Sequence, residues 1–338
     1  MKVLFDHPWP FALAHGGFQI QIEQTKAALE RRGIEVDYIR WWDSQQTGQI
    51  IHYFGRPNGG YVDYARAKGL RVVVGELHTG LGSRSLAART LQKTLMDVSR
   101  KILPTAFTAK LAWDAYQKAD GFVALTDWEA NIMCKMFGAN SERIRVIPNG
   151  VEDVFFPPHT AAKKAEKLDY LVCTASIHSR KRVLELAEAA GRARVPIWII
   201  GKPYAESESY YQHFLQTQKR YPDFIRYEGA ISDRAALAAI YQKARGFVLL
   251  STMESLSLSS LEAAAGGCPL LLSDLPWARS VFGVQAAYCP VNLDAKSLSK
   301  FLIEFHANAP SSPKTFQPLT WDEVAGQLEA FYRTILSD

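Results

Sequence analysis

Cysteine is scarce. Cys134, Cys173, Cys268 and Cys289 are spread through 338 residues with no CxxC spacing, which excludes a disulfide framework and a clustered thiolate site and leaves them as packing thiols. The N-terminal apolar run KVLF ends at Asp6, too short for a signal peptide or a transmembrane helix, so the expected location is the cytoplasm. Charge of neither sign dominates: the net charge is +5, without a dense Lys/Arg stripe interleaved with aromatics, so no nucleic-acid partner is expected. GxxxxGK[ST], GxSxG, HExxH and DxD are all missing. A GxGxxG is only begun: Gly80 and Gly82 are followed by Ser85 instead of a third glycine, on the wrong strand for a dinucleotide fingerprint.

What is present is an alternation. Short β-branched runs such as KVLF, RVVVGEL, GFVALT, DYLVCTAS, PIWIIG and GFVLLS are separated by helix-period segments, the pattern of parallel sheets covered on both faces. The length suits two domains of roughly 150 residues. The expected organisation is a Rossmann-like first domain over 1–155, a Pro/Lys/Ala linker over 156–167, a second Rossmann-like domain over 168–315, and a closing amphipathic helix within 316–338 that packs back toward the first domain. That helix opens on a capping box, Thr320 and Glu323, with apolar residues at Val324, Leu328, Phe331 and Leu336. In open α/β sheets ligands bind beyond the strand C-termini, so the fold class predicted is α/β with two doubly wound domains facing a central cleft.

The stretch STMESLSLSSLEAAAGGCP places Glu254 in the turn after a buried strand and Glu262 about two turns into the next helix, which Gly266 and Gly267 end. The helix start around Ser257 and Leu258 is small and neutral, and its free N–H groups suit a diphosphate. Glu262 can accept hydrogen bonds from both hydroxyls of a ribose, and Glu254 can hold sugar hydroxyls or oppose positive charge at an anomeric carbon. An ordinary cap neighbour and an ordinary partly exposed helix acid remain the alternative. Gly16 and Gly17 open the first helix, where backbone can approach a phosphate.

The residues ESLSLSSLEAAAGGCPLLLS resemble the Glu, seven residues, Glu element of the retaining GT-B glycosyltransferases of family 4. HGGFQIQIEQTKAALERRGIEV, ADGFVALTDWEANIMCKMFGANSERIRVIPNGVEDVFFPP and YEGAISDRAALAAIYQKARGFVLLS are similar to further blocks of that family in the same order. The resemblance implies metal-independent transfer, with no cofactor, from a nucleoside diphosphate sugar to a hydroxyl acceptor borne by a glycan or a lipid. It gives Lys181 the diphosphate, with Gly16, Gly17, Ser257 and Leu258, Glu254 the sugar, and Glu262 the ribose. His78 is expected near the sugar or acceptor, and the backbone at Gly201 to Pro203 and Ala230 to Ile231 on the base. One departure stands out: the family's second cation, five residues before the lysine, is Ser176 here, leaving Arg180 or Arg182 to substitute, and leaving open a non-catalytic nucleotide-sugar-binding subunit. Finally, the window Arg84 to Lys118 mixes apolar residues with Arg84, Arg89, Lys93, Arg100, Lys101, Lys110 and Lys118, against Asp97 and Asp114, which suits either a core-facing helix or peripheral contact with an anionic membrane.

Overall fold

The computed structural model describes residues 1–12, 16–103, 111–157, 166–309 and 316–337. They form two compact units, Met1–Gly150 with Leu319–Asp338, and Val151–Pro318.

In the first unit six strands form one sheet in the order β2-β1-β3-β4-β5-β6: β1 (Lys2–Asp6), β2 (Glu35–Tyr38), β3 (Ile50–Tyr53), β4 (Arg71–Val74), β5 (Gly121–Ala124) and β6 (Ile144–Val146). Each pairing is parallel, with Val3 opposite Val36 on one side and Ile50 on the other. Among the described residues before Gly150, its helices of six residues or more are α1 (Gly17–Arg31), α2 (Gly59–Ala67), α3 (Leu86–Ile102) and α4 (Asp127–Ile132). The central strands are apolar at nearly every position because helices cover both faces, so alternation gives way to continuous runs such as Val72, Val73 and Val74, all fully buried.

The second unit repeats the plan in the order β12-β11-β10-β7-β8-β9. Its strands are β7 (Leu171–Thr174), β8 (Ile197–Ile200), β9 (Ile225–Tyr227), β10 (Gly246–Leu249), β11 (Leu270–Ser273) and β12 (Ala287–Cys289). Its helices are α5 (Val183–Ala193), α6 (Ser209–Arg220), α7 (Arg234–Lys243), α8 (Leu258–Ala265), α9 (Pro276–Phe282) and α10 (Ala295–Asn308). Leu171 and Val172 pair with β8 on one side and β10 on the other.

The chain then returns to the first unit as α11 (Trp321–Ser337), whose start is a reciprocal capping box: Glu323 N–H donates to Thr320 Oγ1 at 3.2 Å and Thr320 N–H to Glu323 Oε2 at 2.7 Å. It packs along α1, where Arg32 reaches Glu329 at 3.0 Å and Asp322 at 3.3 Å. The buried position in its last turn is Ile335, four residues after Phe331, while Leu336 is only half-buried, one residue off the expected stripe. Residues 151–155 belong to the second unit because Phe155 is fully buried against Tyr241 there. Most of the expected linker, 158–165, lies outside the described residues, as do 104–110 of the basic window, Lys110 among them.

Candidate functional site

A parallel sheet opens a crevice where chain order reverses, since loops leaving the two strands there diverge to opposite faces. In the second unit that point lies between β7 and β10: the chain continues from β7 to β8 on one side and from β10 to β11 on the other. The loops beyond these strands carry Ser176 to Arg182 and Ser251 to Ser257. They are tied backbone to backbone, Thr252 N–H donating to Arg180 O at 2.8 Å.

Side chains complete the junction. Lys181 Nζ donates to Glu254 Oε1, Arg180 Nη1 lies 4.0 Å from the same oxygen, and Arg180 Nη1 also donates to Met253 O at 2.9 Å. Glu254 is 8% exposed, and these two cations are its partners at the junction. The helix α8 starts four residues later, with Ser257 as N-cap accepting from Ser260 N–H at 3.3 Å. Its first turn, at Leu258, contains no acid. Arg182 plays a different part: it is buried in a left-handed conformation before α5, and its Nη2 donates to Leu293 O at 2.5 Å. Arg180 is therefore the second cation at Glu254.

Glu262 is buried within α8, 6% exposed, and meets Arg234 Nη2 at 2.5 Å. Arg234 also reaches Glu152 at 2.5 Å, and its guanidinium lies 4.6 Å from the centre of the Phe155 ring. Burial pushes the Glu262 carboxyl up to about 7, against the pull of Arg234. Both glutamates of the motif are thus buried and paired, and neither is an ordinary surface acid. Arg234 and Glu152 went unread in the sequence; the one available sign was an arginine directly after the helix cap Asp233, whose carboxylate accepts from Ala235 and Ala236.

The ends of β7 and β8 are jammed together. A Cβ on Gly201, whose φ is +155°, would sit 1.9 Å from Ala175 O, so only glycine lets the loop beginning at Ser176 pass. Beyond it Tyr204, 56% exposed, stacks on His178 at 5.1 Å and presents an aromatic face beside the Gly201 to Pro203 backbone, a feature sequence reasoning missed. Ile231 follows β9 at the same sheet edge and is half-buried.

The remaining candidates belong to the first unit. Gly16 caps α1 with φ 137° and ψ −154°, a backbone L-residues avoid, and nothing lies within 4 Å of where its Cβ would be; Gly17 starts the helix. His78 follows β4 but is only 2% exposed, so its ring does not stand open. Its Nε2 lies 3.1 Å from the Tyr116 hydroxyl, its ring stacks on Phe137 at 5.6 Å, and its backbone N–H donates to Glu129 at 3.0 Å. Burial lowers its pKa, while Glu76 and Glu129 oppose the shift. Glu76 in turn forms a two-pronged pair with Arg56, both contacts at 2.7 Å. A small cavity of about 20 Å³ in this unit, room for little more than a water molecule, is lined by His52, Gln21, Thr25, Asn149 and Trp321 among others, and includes neither Gly16 nor His78. Among the described residues no group of three or more His, Cys, Asp or Glu side chains is arranged to hold a metal ion, and no helix is long and apolar enough to cross a membrane.

Comparison with known proteins agrees with this architecture. Residues 168–308 match the family described as glycosyl transferases group 1, and residues 40–154 match glycosyltransferase family 4. No curated protein matches the sequence. Solved structures are similar in fold: sucrose-phosphate synthase from Thermosynechococcus elongatus, with TM-score 0.69 and 16% identity over 99% of each chain, and a glycosyltransferase from Rickettsia africae, with 0.64 and 11% over 100% of this chain and 98% of that one. Anabaena HepE, solved in complex with UDP, gives 0.61 and 13% over 99% and 100%.

Proposed function

Because this chain belongs to the group 1 glycosyltransferases of GT-B fold, family 4 in type, and uses a nucleotide-sugar donor, we propose that it transfers the sugar with retention and without a metal ion onto a hydroxyl of a glycan or lipid-linked acceptor, working in the cytoplasm at the inner face of a membrane. The observation that carries most of this reading is the meeting of Lys181 and Arg180 on Glu254 beside the α8 N terminus. The donor's diphosphate takes over the cations that Glu254 holds, with the helix N–H groups at Ser257 and Leu258 adding to them. The freed Glu254 carboxylate then faces the sugar, and Glu262 the ribose. The bond from the anomeric carbon to the diphosphate oxygen breaks, the acceptor oxygen bonds on the same face, and the acceptor proton leaves on the diphosphate. Polysaccharide or glycolipid assembly is the setting this chemistry serves.

Pneumococcal GtfA was solved with UDP and GlcNAc, and HepE with UDP, so a UDP-sugar is the first donor to try. Thermal shift with UDP, GDP, ADP and TDP identifies the base, since only a bound ligand raises the melting temperature. Turnover of the matching nucleotide sugar is expected to be unchanged by EDTA and to fall about 10²–10³-fold in Lys181→Ala. Turnover that Lys181→Ala leaves at the wild-type rate overturns the assignment. Ser176 supports one other reading, a nucleotide-sugar-binding subunit, which predicts a thermal shift without turnover.

A further inference from the structure

Helix α3 is built inside out. Leu91, Leu95, Val98 and Ile102 recur at the spacing of one helix face and are 63, 59, 46 and 74% exposed. The opposite face, turned to the protein, carries Met96 and a buried arginine, Arg89, whose guanidinium lies 3.9 Å above the Trp128 ring on α4. Trp128 is itself held by a hydrogen bond from its indole N–H to Gly82 O at 2.9 Å. A helix that serves only to cover a sheet buries its leucines and exposes its cations. Here a stripe about 17 Å long faces outward instead.

The surroundings say what covers it. The stripe is edged by Thr90, Thr94 and Ser99, with Arg84 before its N-terminal end and Lys101 beside its C-terminal end. Residues 84–102 hold five cations, Arg84, Arg89, Lys93, Arg100 and Lys101, against the single carboxylate of Asp97, which Lys93 engages at 2.6 Å. Trp9, Trp41 and Trp42, 62, 79 and 83% exposed, lie on the loops after β1 and β2; these loops and the chain leading to α3 all leave the C-terminal edge of the same parallel sheet. Exposed tryptophans, an apolar stripe and a margin in which five cations outweigh one carboxylate together match a membrane interface. A second copy of the helix would hide the leucines but would bring Arg84 and Lys101 against cations of its own kind.

We propose that α3 lies in the plane of an anionic bilayer, with Leu91, Leu95, Val98 and Ile102 at the acyl boundary and Arg84 and Lys101 among the lipid phosphates. This deepens the reading of a lipid-linked acceptor and rests on it for its purpose, although vesicle binding and sugar transfer are measured separately. The test is co-sedimentation of the full chain with phosphatidylcholine vesicles, with and without phosphatidylglycerol, at low and high salt, alongside turnover of soluble nucleotide sugar. The wild type is expected to pellet with the anionic vesicles, less so at high salt. The combined Leu91→Gln, Leu95→Gln and Ile102→Gln variant should bind at least about tenfold more weakly while keeping its melting temperature and its turnover. Arg84→Gln and Lys101→Gln should each cost about fivefold, on anionic vesicles only. No lipid-dependent pelleting in any condition overturns the proposal, as does a dimer in solution that the triple variant dissociates. Turnover that persists in either of those cases leaves the transfer reading standing; pelleting without turnover does the reverse.

Discussion

His52 in the first unit and Glu262 in the second are both buried titratable side chains, and the two units treat them in opposite ways. His52 ends up neutral. Its Nδ1 lies 2.6 Å from the Tyr332 hydroxyl, its ring stacks on Phe54 at 4.2 Å, and burial alone lowers its pKa to about 3. Glu262 faces a guanidinium at 2.5 Å that is itself a third exposed and shared with Glu152. A neutral imidazole held between the Phe54 ring and the Tyr332 phenol packs the core and walls a small cavity. A carboxylate held beside an exposed cation keeps its acceptor oxygens within reach of anything that displaces or joins that cation. On the proposed reading, the contrast separates burial that only packs from burial that holds the donor's ribose.

The largest expected effect tests the first half of that contrast. The folded-state pKa of His52 lies below its unfolded value of 6.5, so its contribution to stability is present above pH 6.5 and is lost as pH falls toward about 3. The full span corresponds to about 5 kcal/mol at most. His52→Gln, whose amide can still meet the Tyr332 hydroxyl, is expected to be less stable at neutral pH but to show a flatter acid limb in melts recorded between pH 6.5 and 4. An acid limb as steep as the wild type's would mean that His52 is not the group that titrates.

Glu262 carries the opposite sign. Its folded pKa, about 7, lies above the ordinary 4.5, so its favourable contribution is complete below 4.5 and disappears as pH rises through 7. Relative to wild type, Glu262→Gln should gain stability as pH rises from 4.5 to 8, by up to about 3 kcal/mol. The same variant should weaken nucleotide binding by roughly 1 to 3 kcal/mol, the range for a hydrogen bond to a charged group. A stability gain with unchanged nucleotide affinity would make Glu262 as structural as His52 and erase the contrast.

The strands and helices were legible because β-branched runs and a 3.6-residue period are local properties, and the box at Thr320 and Glu323 spans only three residues. The pairings at the site were not. Lys181 and Glu254 are 73 residues apart and meet only because β7 and β10 lie side by side, and Arg234 meets Glu262 across 28 residues and Glu152 across 82. The run QIIHYFG marks a strand, but nothing in it shows that His52 is sealed under α11. In α3 the period was readable while its direction was not: which face meets the sheet is decided by Trp128 taking Arg89, a contact made 39 residues along the chain.

The smallest expected effect concerns the cation that Ser176 lacks. Lys181 is 15% exposed at its side chain and bonded to Glu254, whereas Arg180 is 32% exposed and stands 4.0 Å away, already donating to the Met253 carbonyl. At that exposure and distance the Arg180 pairing is worth at most about 1 kcal/mol, because solvent screens it. Arg180→Ala should therefore reduce donor affinity by no more than about fivefold and leave the melting temperature of the unliganded protein nearly unchanged. Ser176→Arg places a guanidinium on the same loop as Arg180 and Lys181, next to the close approach of Ala175 O and Gly201. If a diphosphate binds there, the added guanidinium should raise donor affinity, and more so in the Arg180→Ala background, where it restores the second cation. Titration of the nucleotide into the four proteins of this cycle checks the argument: purely additive effects would show that residues 176 and 180 do not act on the same phosphate.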